Sequence, residues 1–205
     1  TNKTITSPAI GTKISDTNGN ELINLTATGS AVNEFTVANA ATGNAPNISA
    51  TGGDTNIDLN LTPKGIGRAT FNGQGKIQSV AEKVTTAATS ATGTINYDVL
   101  TQAVLNFTSD AGANWTLNIR GDGSNSLNTI MDTGESITIA HIVKQGSSAY
   151  YNSAVQIDGS SVTPEYQGGA APTAGNVNSL DVYSYTVIKT GDATFNKLGG
   201  ERRCH

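Results

Sequence analysis

The stretch DTNIDLNLTPKG, residues 54–65, decides the kind of fold that this sequence of 205 residues can adopt. Ile57, Leu59 and Leu61 alternate with polar residues, and successive side chains of a strand point to opposite faces, so the pattern predicts a half-buried strand. Pro63 fixes its own φ and Gly65 tolerates a positive φ, which predicts a tight turn after the strand. The stretch has no second layer of its own to cover its narrow apolar stripe. We therefore expect another copy of the chain to cover it.

Residues 1–75 repeat this design in short alternating runs, separated by Gly, Asn and Asp at intervals of roughly a dozen residues. The pattern predicts strands at 23–27, 35–38 and 47–50, and a turn at 16–20. Large apolar side chains are scarce, so a lone sandwich of this size would bury too little area to offset its chain entropy. We expect a repetitive β stalk or docking region. Its predicted contacts between copies are Ile57, Leu59, Leu61, Phe35 and Val37.

Residues 76–94 are predicted to be a junction and linker between two regions of different composition. Residues 75–84 place apolar side chains at helical spacing, although a strand also fits them. The Thr/Ala/Ser run that follows, residues 85–94, indicates an exposed extended strand or a linker.

Residues 95–205 predict a globular β-sandwich with a core of its own. Trp115, Leu117 and Ile119 alternate with polar residues, and further strands are predicted at 136–143, 151–157 and 180–189. Their spacing favours a jelly-roll-like antiparallel sandwich, which makes the whole chain all-β.

The composition argues against several classes of function. The formal net charge of -4 is mild and unclustered, so we expect no nucleic-acid partner. No apolar run approaches the roughly 20 residues that span a bilayer, so we expect no membrane insertion. The single cysteine, Cys204, cannot form an internal disulfide.

No set of residues predicts a catalytic, cofactor-binding or metal site, and we expect the chain not to be an enzyme. His141 shares the parity of the apolar residues of its strand, which predicts a core or interface position, and His205 is terminal. The loop-rich region that contains Asp110, Asp122, Asp132 and Glu135 leaves a carboxylate pair for glycoside cleavage open. Asp beside Gly is, however, what turns require, and residues 16–27 fail as a calcium loop.

The tyrosines and one irregular loop form the predicted surface for contact with a host polysaccharide. Residues 168–175, rich in Gly, Ala and Pro, predict an exposed loop, and Tyr rings suit the flat faces of sugars. The predicted contact residues are Tyr150, Tyr166, Gly168, Gly169 and Pro172.

Two segments resemble proteins of tailed bacteriophages, especially marine ones. Residues 15–73, and most specifically 54–65, are similar to repetitive segments of fibre and appendage proteins, and residues 180–196 resemble the closing strands of their globular tips. The resemblance implies a homotrimer of intertwined β-structure on the virion, at the tail or capsid surface, in contact with other virion proteins. After Phe195 the chain departs from the expected apolar pattern, so no binding residue is carried over to residues 196–205.

The leading hypothesis is therefore a non-enzymatic trimeric tail fibre or appendage whose β tip contacts the host surface. One alternative is a capsid decoration or cement protein that stabilises the phage head. An alternative of another class is a tailspike-like polysaccharide depolymerase, which would need clustered carboxylates on a sheet face. A cellular adhesin domain is a third alternative.

Overall fold

The computed structural model describes residues 11–204, with side chains up to residue 200. His205 and residues 1–10 lie outside the described residues. The chain is 2% helix and 41% strand, which confirms the all-β prediction. It divides into two compact units, Thr1–Pro63 and Lys64–His205, and the predicted boundary at residue 75 lies inside the second unit.

The first unit contains two separate antiparallel hairpins. Strands β1 (Lys13–Ser15) and β2 (Glu21–Asn24) form one, and β3 (Asn33–Ala38) and β4 (Asn47–Gly52) form the other. The predicted strands at 35–38 and 47–50 are confirmed. The predicted turn at 16–20 is also present, because the Asp16 carboxylate accepts from the backbone amides of Asn18 and Asn20 at 2.9 and 2.8 Å.

At residues 56–61 the first prediction, a half-buried strand, is wrong. They belong to no strand in the described chain, although their apolar and polar residues alternate. Alternation indicates that one side of a segment favours burial, but a strand also requires a neighbouring backbone to complete its hydrogen bonds. The predicted turn that follows is present: Gly65 has a φ of 61°, and the Gly67 amide donates to the Lys64 carbonyl at 3.1 Å.

The second unit is a two-layer β-sandwich. A four-stranded sheet has the strand order β11-β10-β8-β6, and a six-stranded sheet has the order β12-β14-β13-β9-β7-β5. The strands are β5 (Val84–Ala87), β6 (Gly93–Asp98), β7 (Val104–Phe107), β8 (Trp115–Arg120), β9 (Ser136–Lys144), β10 (Asn152–Ile157), β11 (Ser160–Val162), β12 (Glu165–Tyr166), β13 (Leu180–Gly191) and β14 (Thr194–Cys204). Residues 75–83 form no helix, and β5 begins where that segment ends.

The prediction of a purely antiparallel sandwich is wrong. Strand β8 runs parallel to both β6 and β10, and β7 runs parallel to both β5 and β9. From β5 to β10 the chain alternates between the two sheets. Consecutive strands therefore belong to different sheets, and the strands that pair are two apart in the chain. Side-chain alternation marks which face of a strand is buried but does not specify the direction of its neighbour. The pair β13–β14, in contrast, is a long antiparallel hairpin.

Both sheets contribute to one hydrophobic core. Trp115, Leu117 and Ile119 on β8 face Tyr183, Tyr185 and Val187 on β13, and all six are buried. The single helix among the described residues, α1 (Leu127–Ile130), is capped by the Ser126 hydroxyl, which accepts from the Thr129 amide at 3.0 Å. The buried Lys189 ammonium donates to the Asn128 and Met131 carbonyls, so its charge lies against the free carbonyl end of this short helix.

Candidate functional site

The β3–β4 hairpin is amphipathic, with one face satisfied and the other uncovered. Phe35 pairs with Ala50 and Val37 pairs with Ile48, which places these four side chains on the same face. Phe35, Val37 and Ile48 are 57%, 70% and 60% exposed. The apolar face of this hairpin is therefore open to a partner surface.

The opposite face of the hairpin is tied together by side-chain hydrogen bonds. The Thr36 and Thr51 hydroxyls lie 2.6 Å apart, and the Thr51 hydroxyl donates to the Glu34 carboxylate at 2.9 Å. Polar groups that bond to one another within a sheet face are compatible with solvent. The hairpin thus distinguishes a water-facing side from an apolar side.

The base of the hairpin leads directly into residues 56–61. The Asn33 side-chain amide donates to the Asp54 carboxylate at 2.8 Å, and the Gly53 amide donates to the Val32 carbonyl at the same distance. Beyond this closure Ile57 is half-buried, and Leu59 and Leu61 are exposed. All five residues predicted to contact another copy therefore keep apolar surface accessible within the first unit.

A second candidate surface lies at the loop end of the sandwich and depends on a buried polar pair. The Gln145 side-chain amide donates to the Asp181 carboxylate at 3.0 Å and to the Tyr150 carbonyl at 2.7 Å, while its oxygen accepts from the Tyr150 amide at 2.9 Å. Asp181 also accepts from the backbone and side-chain amides of Asn176, at 3.2 and 2.7 Å. Both ends of this network are fixed, because Gln145 and Asp181 are fully buried.

The loop at 167–179 is held at both ends and exposed between them. The Gln167 amide donates to the Gly199 carbonyl at 3.0 Å, and the Asn178 amide donates to the Gly146 carbonyl at 2.8 Å. Gly168 and Gly169 are exposed and have positive φ, whereas Pro172 is half-buried. The sandwich therefore presents a short neutral loop on a rigid base.

Tyr150 and Tyr166 lie at the base of this loop. Both are half-buried and pack against the core, and the Tyr166 ring contacts the Tyr185 ring edge-on at 6.5 Å. Gly199 permits this packing, because a Cβ there would lie 2.7 Å from the Tyr166 ring. These rings have less free surface than the sequence-based prediction of a tyrosine platform assumed.

Sequence reasoning missed Gln145 and Asp181, although they anchor the loop. Asp181 occupies an inward-facing position among the apolar residues of β13, which is the one sequence signal that could have identified it. Gln145 follows directly after β9 and carries no such signal.

Among the open clefts of the sandwich, two lie near the loop end or on the six-stranded sheet. One, of about 550 Å³, is lined by Gln145, Asn178 and the ion pair between Asp110 and Lys144, whose charged atoms are 2.7 Å apart. The other, of about 760 Å³, lies between residues 165–167 and strands β9, β13 and β14 of the six-stranded sheet.

The four carboxylates considered for glycoside cleavage each have a charged or hydrogen-bonding partner. Asp110 pairs with Lys144, while Asp122 accepts from the amides of Ser124 and Asn125, which holds its pKa below the usual range. Asp132 and Glu135 both bind Arg68, at 2.7 and 2.6 Å, and the Arg68 guanidinium lowers the pKa of Glu135. Asp122 and Glu135 therefore favour the charged form, and all four carboxylates are engaged in structural contacts.

His141 is a core residue. It is fully buried between Phe107, Trp115 and Tyr183, with ring centroids 5.5, 5.7 and 6.2 Å away. Neither ring nitrogen has a hydrogen-bond partner of ordinary geometry. Burial lowers the pKa of His141 to about 3, against a smaller opposing effect of the Leu105 backbone, so the ring is neutral at pH 7.

No group of three or more His, Cys, Asp or Glu side chains among the described residues is placed to hold a metal ion. In the same part of the chain, every helix is too short or too polar to cross a membrane. This chain matches no known protein-family model, no curated protein and no solved structure.

Proposed function

We propose that the chain is a non-enzymatic structural protein of a phage virion, a homotrimeric tail fibre or appendage that displays a β tip to the host surface. In this proposal the N-terminal unit supplies an intertwined stalk or docking region. The sandwich is the displayed tip, and the loop at 167–179 is its contact surface, with a host polysaccharide as the ligand class.

The observation that carries the proposal is that the β3–β4 hairpin has one exposed apolar face and one polar face. An isolated two-stranded hairpin is at best marginally stable in water, and an uncovered row of Phe35, Val37 and Ile48 costs solubility. Placing these rows from several copies around one axis removes them from water, while the Glu34, Thr36 and Thr51 face remains hydrated. Each fully buried side chain of this type contributes about 1.5–3 kcal/mol.

The loop end supports the display role. A contact loop must keep its shape, and a rigid base reduces the entropy lost on binding. Gln145 and Asp181 hold the loop at Asn176, and the backbone bond from Gln167 to Gly199 holds the end that precedes the exposed Gly168.

The carboxylates favour this proposal over a tailspike-like depolymerase. Retaining and inverting glycosidases place two carboxyl groups about 5–10 Å apart around the scissile bond, and one of them needs a raised pKa. In this chain Asp132 and Glu135 share one guanidinium, and the pKa of Glu135 is lowered. New reducing ends after incubation with host polysaccharide would favour the depolymerase.

Size-exclusion chromatography with light scattering tests the trimer. The full chain should elute at three times its mass of 21.0 kDa, and the Val37→Asp variant should dissociate at a concentration at least about tenfold higher. Val177→Asp is the matched control, because Val177 is 59% exposed but belongs to the loop at 167–179 of the second unit rather than to the hairpin. A folded wild-type monomer would refute the stalk.

In the capsid decoration alternative, the same apolar face of the β3–β4 hairpin lies on the phage head instead of the tail. Antibody labelling of the chain on intact particles, viewed by electron microscopy, distinguishes the two locations. Label on the tail or its appendages supports the fibre, and label spread over the capsid supports the decoration protein.

A further inference from the structure

The outer face of the six-stranded sheet is uncharged along its two central strands. Its outward-facing positions are Thr138, Ala140 and Ile142 on β9 and Val182, Ser184 and Thr186 on β13. They alternate with buried residues that face the core, such as His141 and Tyr183. Apolar side chains extend this face outward onto neighbouring strands, at Val84, Val104 and Leu198.

The outer face of the four-stranded sheet has the opposite character. The Asn118 side chain donates to Asn96 at 2.9 Å, and the Arg120 guanidinium donates to the Asp98 carboxylate at 2.6 Å. A sheet face of this kind is suited to water. Because the two faces belong to one sandwich, their difference reflects what each of them meets rather than the composition of the chain.

We propose that the outer face of the six-stranded sheet packs against a second copy of this chain, so that the sandwiches associate as well as the hairpins. The inference rests on the proposed homotrimer and adds a second interface to it. Two observations select another copy as the occupant.

The first is charge. The chain carries a formal net charge of -4, so two copies repel one another over most of their surface. In a trimer whose sheet faces surround one axis, side chains near that axis meet their own copies, so a charged group there would be repelled. Among the described side chains the central strands of this face contribute only neutral groups between Ser136 and Lys144, and Lys144 is itself paired with Asp110.

The second is area. Strands lie about 4.8 Å apart and rise about 3.3 Å per residue, so six strands cover on the order of 600–800 Å² on one face. A standard interface buries about 800 Å² per partner. The cleft beside residues 165–167 makes this face uneven, so side chains of a second copy can interdigitate with it.

Thiol labelling tests the covered face directly. In a Cys204→Ser background, Ser184→Cys places a thiol on the proposed interface, and Ala154→Cys places one on the outer face of the four-stranded sheet. Both positions are exposed and lie on interior strands. We expect maleimide to modify the Ser184→Cys variant at least about tenfold more slowly than the Ala154→Cys variant in the assembled protein, with equal rates in denaturant.

The outcomes separate this inference from the proposed function. If light scattering gives an oligomer and the two thiols react equally fast, the hairpin interface stands and the sheet interface is refuted. A monomer by light scattering refutes both. Ser184→Arg should also raise the dissociation concentration at least about tenfold, whereas Ala154→Arg should leave it unchanged. Should Ser184→Arg fail to fold by circular dichroism, the labelling rates decide.

Discussion

The two units of this chain use the same alternating pattern with opposite results. In the sandwich, Trp115, Leu117 and Ile119 lie on one face of β8 and are completely buried by a second sheet. In the N-terminal hairpin, Phe35 and Val37 lie on one face of β3 and are more than half exposed. The difference is the number of layers that one chain supplies. An apolar stripe therefore identifies a face that favours burial, and the fold of the single chain decides whether the cover is internal.

The largest expected effect tests how much the buried apolar face of β8 stabilises the sandwich. Leu117→Ala should lower the free energy of unfolding of the sandwich by about 3 kcal/mol, because a buried leucine is replaced by a cavity. Trp115 is the one tryptophan of the chain and lies in the same core, so denaturant unfolding followed by its fluorescence reports this transition.

Leu61→Ala is the matched control, since Leu61 is 62% exposed. It should leave the sandwich transition unchanged within about 0.5 kcal/mol. An equal loss in both variants would show that the two units unfold as one, and the comparison between them would fail.

The comparison also explains which predictions succeeded. The strands at 35–38, 47–50 and 115–120 follow from local alternation, which is a property of adjacent residues. Parallel pairing of β6, β8 and β10 depends on connections that cross between sheets, and no local pattern records it. Residues 56–61 failed as a strand for the related reason that no other segment of the described chain pairs with them.

In the candidate site, too, some features follow from the local sequence and others depend on the folded chain. Exposure of Gly168 and Gly169 follows from their loop composition, and the buried position of His141 follows from its parity on β9. The pairing of Gln145 with Asp181 joins two distant segments through one hydrogen bond, and its geometry exists only in the folded sandwich.

The buried His141 makes the stability of the sandwich depend on pH. The unfolded chain binds a proton with a pKa near 6.5, and the folded chain does so only near 3, so the free energy of unfolding falls as pH drops from 6.5 towards 3. The loss attributable to His141 should reach about 2–3 kcal/mol by pH 4.5.

His141→Phe keeps an aromatic ring at this position without a titrating group. Denaturant unfolding at several pH values should show a flatter profile for this variant between pH 6.5 and 4.5. Parallel profiles for the variant and the wild type would rule out His141 as the source.

The next effect sharpens the contrast between a buried and an exposed carboxylate at the loop end. Asp181→Ala removes one of the two acceptors of the buried Gln145 side-chain amide and frees Asn176, and should cost about 2 kcal/mol. Limited proteolysis should then cleave residues 168–175 faster. Asp110→Ala, which removes a half-exposed ion pair, should change neither measurement appreciably.

The smallest effect concerns the start of the second unit. Arg68 binds Asp132 and Glu135 across solvent-exposed surface, so Arg68→Ala should lower the Tm slightly, and the difference should vanish in about 1 M salt. The Glu135 contribution is present above pH 4.5 and is lost as pH falls through its lowered folded pKa. A large, salt-independent loss would instead place Arg68 among the residues that hold the core together.

The alternation of the chain between sheets has a consequence for folding. Strand β13 lies between β14 and β9 and carries Tyr183, Tyr185 and Val187 of the core, yet it follows β5 to β10 in the chain. Strands β5 to β9 do not pair with their immediate successors and must wait for partners further along the chain. The core therefore closes only once β13 pairs with β9, so the sandwich should fold more slowly than either N-terminal hairpin.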